Sequence, residues 1–209
     1  MAGASRARVA AAIRRLGHGV VAHEVADDDL AWLADELEGL AARVVASPPR
    51  RHRIDAPPGV GTSRVGEAVA LFTDLAGDAL VAGATNPLGL GARFWLEGDT
   101  VVMEAVVGPA FAGAPGRAHG GILATLIDET MGTVLAHHDV FALTAWLHVT
   151  FTAAAPLGQP VTARAWLADR DGRKLTIQAR VVAQDTLVAE AEALFVAVDP
   201  RPFLAGPPR

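Results

Sequence analysis

Apolar residues recur along this chain with two different periods. In the first fifty residues the spacing is three and four. Leu30, Leu33, Leu37, Leu40 and Val44 mark an amphipathic helix over 27–46, with Asp27 or Asp28 as its cap. One face of that helix is expected to be buried. Ala, Arg, Ile and Leu content predicts a shorter helix over 6–16, ending at Gly17 to Gly19. Residues 47–66 then shift to Pro, Gly and Arg and read as a linker. The chain is thus expected to divide into a helical extension with its linker, 1–66, and a second domain, 67–209.

Past residue 90 the period shortens to two. Strands are expected at 93–96 and 100–107, around Glu97-Gly98-Asp99, and at 143–153, 160–169, 173–184 and 187–198. Asp171-Gly172 is the strongest hairpin signal, because both residues tolerate positive φ. In 175–182 and 187–195, Ala, Val, Leu and Ile alternate with Thr, Arg, Gln and Glu, so each strand has one face to bury. The partner for that face is an apolar helix at about 119–137. By pattern alone the class is α+β, a meander of strands after a helix.

Composition narrows the options. With 209 residues and 51% apolar content the chain can build one sizeable core and still carry an extension. Its net charge of -5 gives no global attraction to nucleic acid or anionic membranes, and neither is expected as a partner. No window of membrane-spanning length is free of charged or helix-breaking residues. Arg6, Arg8, Arg14 and Arg15 lie in an acid-free N-terminus, as in transit peptides, but no apolar core of secretory type follows. The absence of cysteine fits a reducing, cytoplasmic location and leaves covalent chemistry to oxygen nucleophiles.

Candidate chemistry concentrates in 113–132. There His119-Gly120-Gly121 opens the apolar helix, and Asp128 follows His119 by nine residues. Glycines at a helix start let a ligand approach amides that have no partner within the helix, and the helix dipole favours negative charge there. Those amides suit an oxyanion, although a tight helix start needs the same glycines. Asp128, set among Leu123, Leu126, Ile127 and Met131, is a candidate nucleophile or general base. Glu129 points about 100° away around the helix. His137, His138 and His148 lack the cysteine or spaced acid that would complete a tetrahedral metal set, so no metal is expected. Arg50, Arg51, His52 and Arg53 form either a solvated basic loop or a phosphate-binding patch.

Taken with Asn86-Pro87-Leu88-Gly89-Leu90, the Phe111 to Gly121 run, Thr144-Ala145-Trp146-Leu147-His148-Val149-Thr150-Phe151 and Ala155-Pro156-Leu157-Gly158, this segment resembles the hotdog-fold acyl-CoA thioesterases. The likeness is to their phenylacetate-pathway (PaaI-like) and THEM4-like branch, over roughly residues 86 to 198. It implies a hotdog fold, an antiparallel sheet wrapped around one long central helix, and here an N-terminal helical extension. It implies hydrolysis of an acyl-coenzyme A to free acid and CoA, without a cofactor. Asp128 would be nucleophile or general base, the Gly120 amide would polarise the thioester carbonyl, and Thr144 would hold the water or the carboxylate. His119 would order the loop, bind the carbonyl or simply cap the helix. Gly121, Glu129 and Asn86 would be substrate contacts, with Glu129 exposed or behind the site. Gly113 stands where many PaaI-like members carry Asn. The resemblance further implies a homodimer or homotetramer, in which the helix entrance of one protomer faces the acid of the other. The rival expectations are a non-catalytic acyl-CoA-binding hotdog protein and a hotdog hydratase or dehydratase.

Overall fold

A computed structural model describes residues 2–48 and 77–199. Most of the expected linker, the Arg50 to Arg53 cluster and the 66/67 boundary lie outside the described residues. Two helices come first, α1 (Ala2–Ala22) and α2 (Asp27–Val45). Then follow β1 (Arg93–Glu97), β2 (Thr100–Val106), a 3-10 turn (Pro109–Phe111), α3 (Gly120–His137), β3 (Ala142–Phe151), β4 (Pro160–Asp171), β5 (Lys174–Ala183) and β6 (Thr186–Ala197).

The strands form one sheet in the order β1-β2-β4-β5-β6-β3, and every neighbouring pair is antiparallel. This is the hotdog arrangement. Only β4, β5 and β6 make the meander expected from the sequence; β3 crosses to the far side of β6 and becomes an edge. Leu123, Leu126, Ile127, Thr130, Met131 and Val134, spaced three and one, turn the buried face of α3 toward the sheet. Facing it, Ala105, Ala163, Ala165, Ala179, Ala191 and Ala193 are buried beside the bulkier Met103, Ile177 and Phe195. Small residues on the sheet leave room for a helix lined with Leu, Ile and Met.

Local predictions are adjusted in four places. Helix α1 runs through Gly17 and Gly19 instead of ending there. A glycine costs a helix about 1 kcal/mol relative to Ala, and α1 offsets this by docking on the domain through Arg14 and His18, which bond to Asn86 and Ala110. Helix α2 starts without a side-chain cap: its N-cap is Ala26, and Asp27, Asp28 and Asp29 lie in the first turn, where they favour the helix dipole instead. Its apolar stripe, expected to be buried, has no buried residue, and Trp32, Leu40 and Val44 are exposed. The β4–β5 turn falls one residue later than expected, on Gly172-Arg173, with Gly172 at φ 56°. The turn between β5 and β6 places Gln184 (φ 48°) and Asp185 (φ 64°) both in the left-handed region, the form that matches strand twist.

Candidate active site

The entrance to α3 is built by a loop braced from behind. Gly113 N–H donates to the Arg117 carbonyl at 2.9 Å, the Ala118 N–H to Ala155 at 2.9 Å, and the His119 N–H to Phe111 at 2.9 Å. The Pro156-Leu157-Gly158 segment serves this loop. Arg117 bridges to Pro156, the Leu157 N–H donates to Gly116 at 3.3 Å, and Gly158, at φ 73°, donates to Val107 at 2.9 Å. At Gly113 a side chain would sit 3.0 Å from the His119 Cα, so this packing suits glycine.

His119 is the N-cap of α3. Its Nδ1 accepts the Gly121 N–H at 2.9 Å, and its carbonyl accepts the Ile122 and Leu123 amides at 3.0 and 3.4 Å. Of the first four amides of α3, only that of Gly120 has no partner among the described residues. The glycine pattern offered both Gly120 and Gly121 as donors, and the resemblance named Gly120; the cap occupies Gly121 and leaves Gly120. A side chain at Gly120 would meet the Phe151 ring at 3.3 Å.

Asp128 lies eight residues beyond Gly120, about 12 Å along the helix at 1.5 Å per residue. Sequence reading set it among apolar side chains, but it is exposed. Leu123, Leu126, Ile127 and Met131 take the opposite face of α3. Asp128 shares its own face with the small residues Gly121, Ala124, Thr125 and Gly132, which leave it open. Thr144 reaches it from β3, with Oγ1 3.4 Å from Asp128 Oδ1. A bulge in the β3–β6 pairing between Thr144 and Trp146 breaks the strand's register at this point. A groove of about 380 Å³ opens here, lined by Asp128, Thr144, Thr125, Leu135, Val140 and Leu143.

Two expected substrate contacts carry structural hydrogen bonds. Glu129, which also lines the groove at Asp128, accepts the Val81 and Ala82 amides on its two carboxylate oxygens, each at 2.7 Å, tying residues 77–92 to the central helix. Asn86 donates through Nδ2 to the Asp78 and Ala79 carbonyls at 3.1 and 3.3 Å and accepts the Leu88 N–H at 2.9 Å, so its side chain holds that loop's own turn. The reason is local in both cases: consecutive unpaired amides and carbonyls of a strandless loop need partners, and these side chains supply them.

His137 and His138 touch edge to face with ring centroids 5.1 Å apart. Burial pushes the His138 imidazole below its usual value, and the neighbouring His137 adds to this. Among the described residues no cluster of three or more His, Asp or Glu is placed to hold a metal. No helix among them is long and apolar enough to cross a membrane.

Residues 115–190 match the model of the thioesterase superfamily. Among particular relatives, the mouse (Mus musculus) acyl-coenzyme A thioesterase THEM4 is 41% identical over 90 residues, 42% of this chain and 39% of the relative. The bovine (Bos taurus) THEM4 is 37% identical over 95 residues, 44% of this chain and 39% of that protein. The match thus spans about two fifths of these relatives' length. A crystal structure described as a thioesterase superfamily protein aligns with TM-score 0.76 and 26% identity over 91% of this chain and 90% of its own. The E. coli PaaI protein of the phenylacetic acid degradation operon shares the fold at TM-score 0.52 and 17% identity, over 63% of this chain and 94% of its own.

Proposed function

We propose that this protein hydrolyses acyl-coenzyme A thioesters. The observation that supports this most is the pairing of one free amide, that of Gly120, at a helix N-terminus with an open carboxylate, Asp128, on the same helix. The 41% identity to an acyl-coenzyme A thioesterase over 90 residues agrees with it. In this reading the Gly120 N–H, assisted by the helix dipole, stabilises the negative charge that grows on the thioester oxygen. Asp128 either attacks the carbonyl carbon or takes a proton from the water that does. In both routes the tetrahedral intermediate collapses with cleavage of the C–S bond, and CoA leaves as the thiolate, which takes up the proton given up by the attacking water. On the nucleophilic route, water then hydrolyses the anhydride and regenerates the carboxylate.

The working unit in this reading is a homodimer. About 12 Å of helix separates Gly120 from Asp128 within one protomer, too far for one carbonyl to touch both. The edge strand β3 carries exposed Leu143, Trp146 and Phe151, the kind of unpaired apolar edge that joins a second copy. A thiol-release assay over a series of acyl-CoAs from two to sixteen carbons tests the activity. Release of CoA with saturable kinetics is expected; saturable binding with no release overturns the hydrolase reading in favour of an acyl-CoA-binding protein.

A further inference from the structure

Between α1 and the hotdog domain lies a second cleft, of about 430 Å³, within the range of small-molecule sites. One wall is Ile13 and Gly17 of α1, and the other includes Phe111 and Ile122. Leu80 and Thr125 line this cleft and also the groove at Asp128, so the two adjoin along one face of α3. Among the described residues no carboxylate lines the cleft. Its basic side chains there are engaged: Arg14 Nη1 donates to the Asn86 carbonyl at 2.6 Å, and His18 Nδ1 accepts the Ala110 N–H at 3.1 Å. These contacts fix where α1 sits. At Gly108 an added Cβ would lie 2.5 Å from the His18 ring, so glycine there is what admits the histidine.

We propose that the α1 cleft receives the distal part of the acyl chain and that Gly17 sets its depth, an inference that rests on the acyl-CoA reading above. An acyl chain whose carbonyl lies at Asp128 can run past Thr125 and Leu80 to reach Ile122 and α1. From Asp128 to Ile122 is six residues, about 9 Å of helix, matching roughly seven or eight bonds at the ~1.2 Å per bond of an extended chain. Chains of about eight carbons or more therefore touch α1, and chains of four do not. The N-terminal helix is a specificity wall for the catalytic domain. Gly17 is the natural test position because nothing lies within 4 Å of a Cβ added there, so a larger side chain enters the open space.

The experiment compares wild type with Gly17→Leu in the full chain, on butyryl-CoA and dodecanoyl-CoA. Leucine raises helix propensity at this position, and a thermal melt no lower than wild type shows that the variant is folded. The ratio of kcat/KM for dodecanoyl-CoA over butyryl-CoA is expected to fall about tenfold or more, the scale on which a filled apolar pocket discriminates. An unchanged ratio with normal turnover overturns the inference and leaves the hydrolase reading standing. If wild type hydrolyses neither thioester, the hydrolase reading fails and a binding measurement decides the cleft. Stabilisation by dodecanoyl-CoA that is reduced in Gly17→Leu, with stabilisation by butyryl-CoA retained, supports the cleft, and equal stabilisation of both chains by dodecanoyl-CoA overturns it.

Discussion

His119 accepts the Gly121 N–H only with its Nδ1 unprotonated, so the neutral ring carries its proton on Nε2. The same bond removes Gly121 from the list of donors and leaves Gly120 as the amide a ligand can use. Gly120→Pro isolates that one group. The position is the first of the helix, where proline is favoured, and the preceding His119 already has the extended φ -67°, ψ 133° that a following proline demands. The variant is expected to fold, by circular dichroism, and to lose about 3 kcal/mol of transition-state stabilisation, read mostly in kcat. Phe151 must shift by a few tenths of an ångström to admit the ring. Asp128→Asn keeps the shape of the carboxylate but can neither attack nor accept a proton. Its kcat is expected to fall on the order of 10²-fold or more with folding unchanged; a steady-state assay retaining above about a tenth of wild-type turnover would move the acid role elsewhere. Glu129 is a poor substitute, since both its oxygens hold the Val81 and Ala82 amides.

Elements dock here through single polar contacts placed on apolar surfaces. Helix α1 is the clearest case, with Ala10 buried, Arg14 on Asn86 and His18 on Ala110, the His18 ring edge-on to Phe111 with centroids 5.4 Å apart. Burial lowers the His18 pKa from its ordinary value of 6.5, and the Arg14 charge lowers it further. The unfolded chain therefore binds the proton more tightly than the folded one, and stability rises with pH through this window. The His18 contribution is fully present above about 6.5 and is lost as pH falls from there toward the lowered folded value. Hydrogen exchange on α1, corrected for its intrinsic pH dependence, should show protection falling between pH 7.5 and 5.5. His18→Asn, whose side-chain oxygen accepts the Ala110 N–H in every protonation state, should flatten that dependence; an identical slope in the variant would remove His18 as its origin.

At the scale of the molecule, the proposed shared site makes a prediction that no single-chain mechanism makes. Inactive Asp128→Asn and inactive Gly120→Pro chains, refolded together one to one, pair at random, and half the dimers are mixed. Each mixed dimer carries one site with both lesions and one with neither. Activity should therefore recover to roughly a quarter of wild type. Mixed dimers shown by native mass spectrometry without recovered activity would place both groups in one protomer's site. The exposed Leu143, Trp146 and Phe151 of β3 are where the subunits are expected to join, so charged substitutions there should lower the dimer population before they unfold the chain.

Periodicity was enough for the elements that bury one face. The spacing of Leu123, Leu126, Ile127 and Met131 marks α3, and alternation marks β4, β5 and β6, because a wrong period would expose the core. The His119-Gly120-Gly121 signature located the helix entrance for the same local reason: capping is settled within one turn. Other features depended on distant partners. Which glycine amide stays free depends on where the His119 ring turns. That Glu129 and Asn86 also hold the loop 77–92 through their polar atoms depends on where that loop packs. The β5–β6 turn carries no glycine, and Gln184 gave no signal for left-handed backbone; the pairing of the strands imposes it. Helix α1 ends beyond its glycines because Arg14 and His18 are held by residues about seventy to ninety positions away. Local sequence determined which segments are helix or strand and where the helix entrance lies; tertiary contact decided which polar groups are left for a ligand, since a donor is free only when nothing else in the fold has taken it.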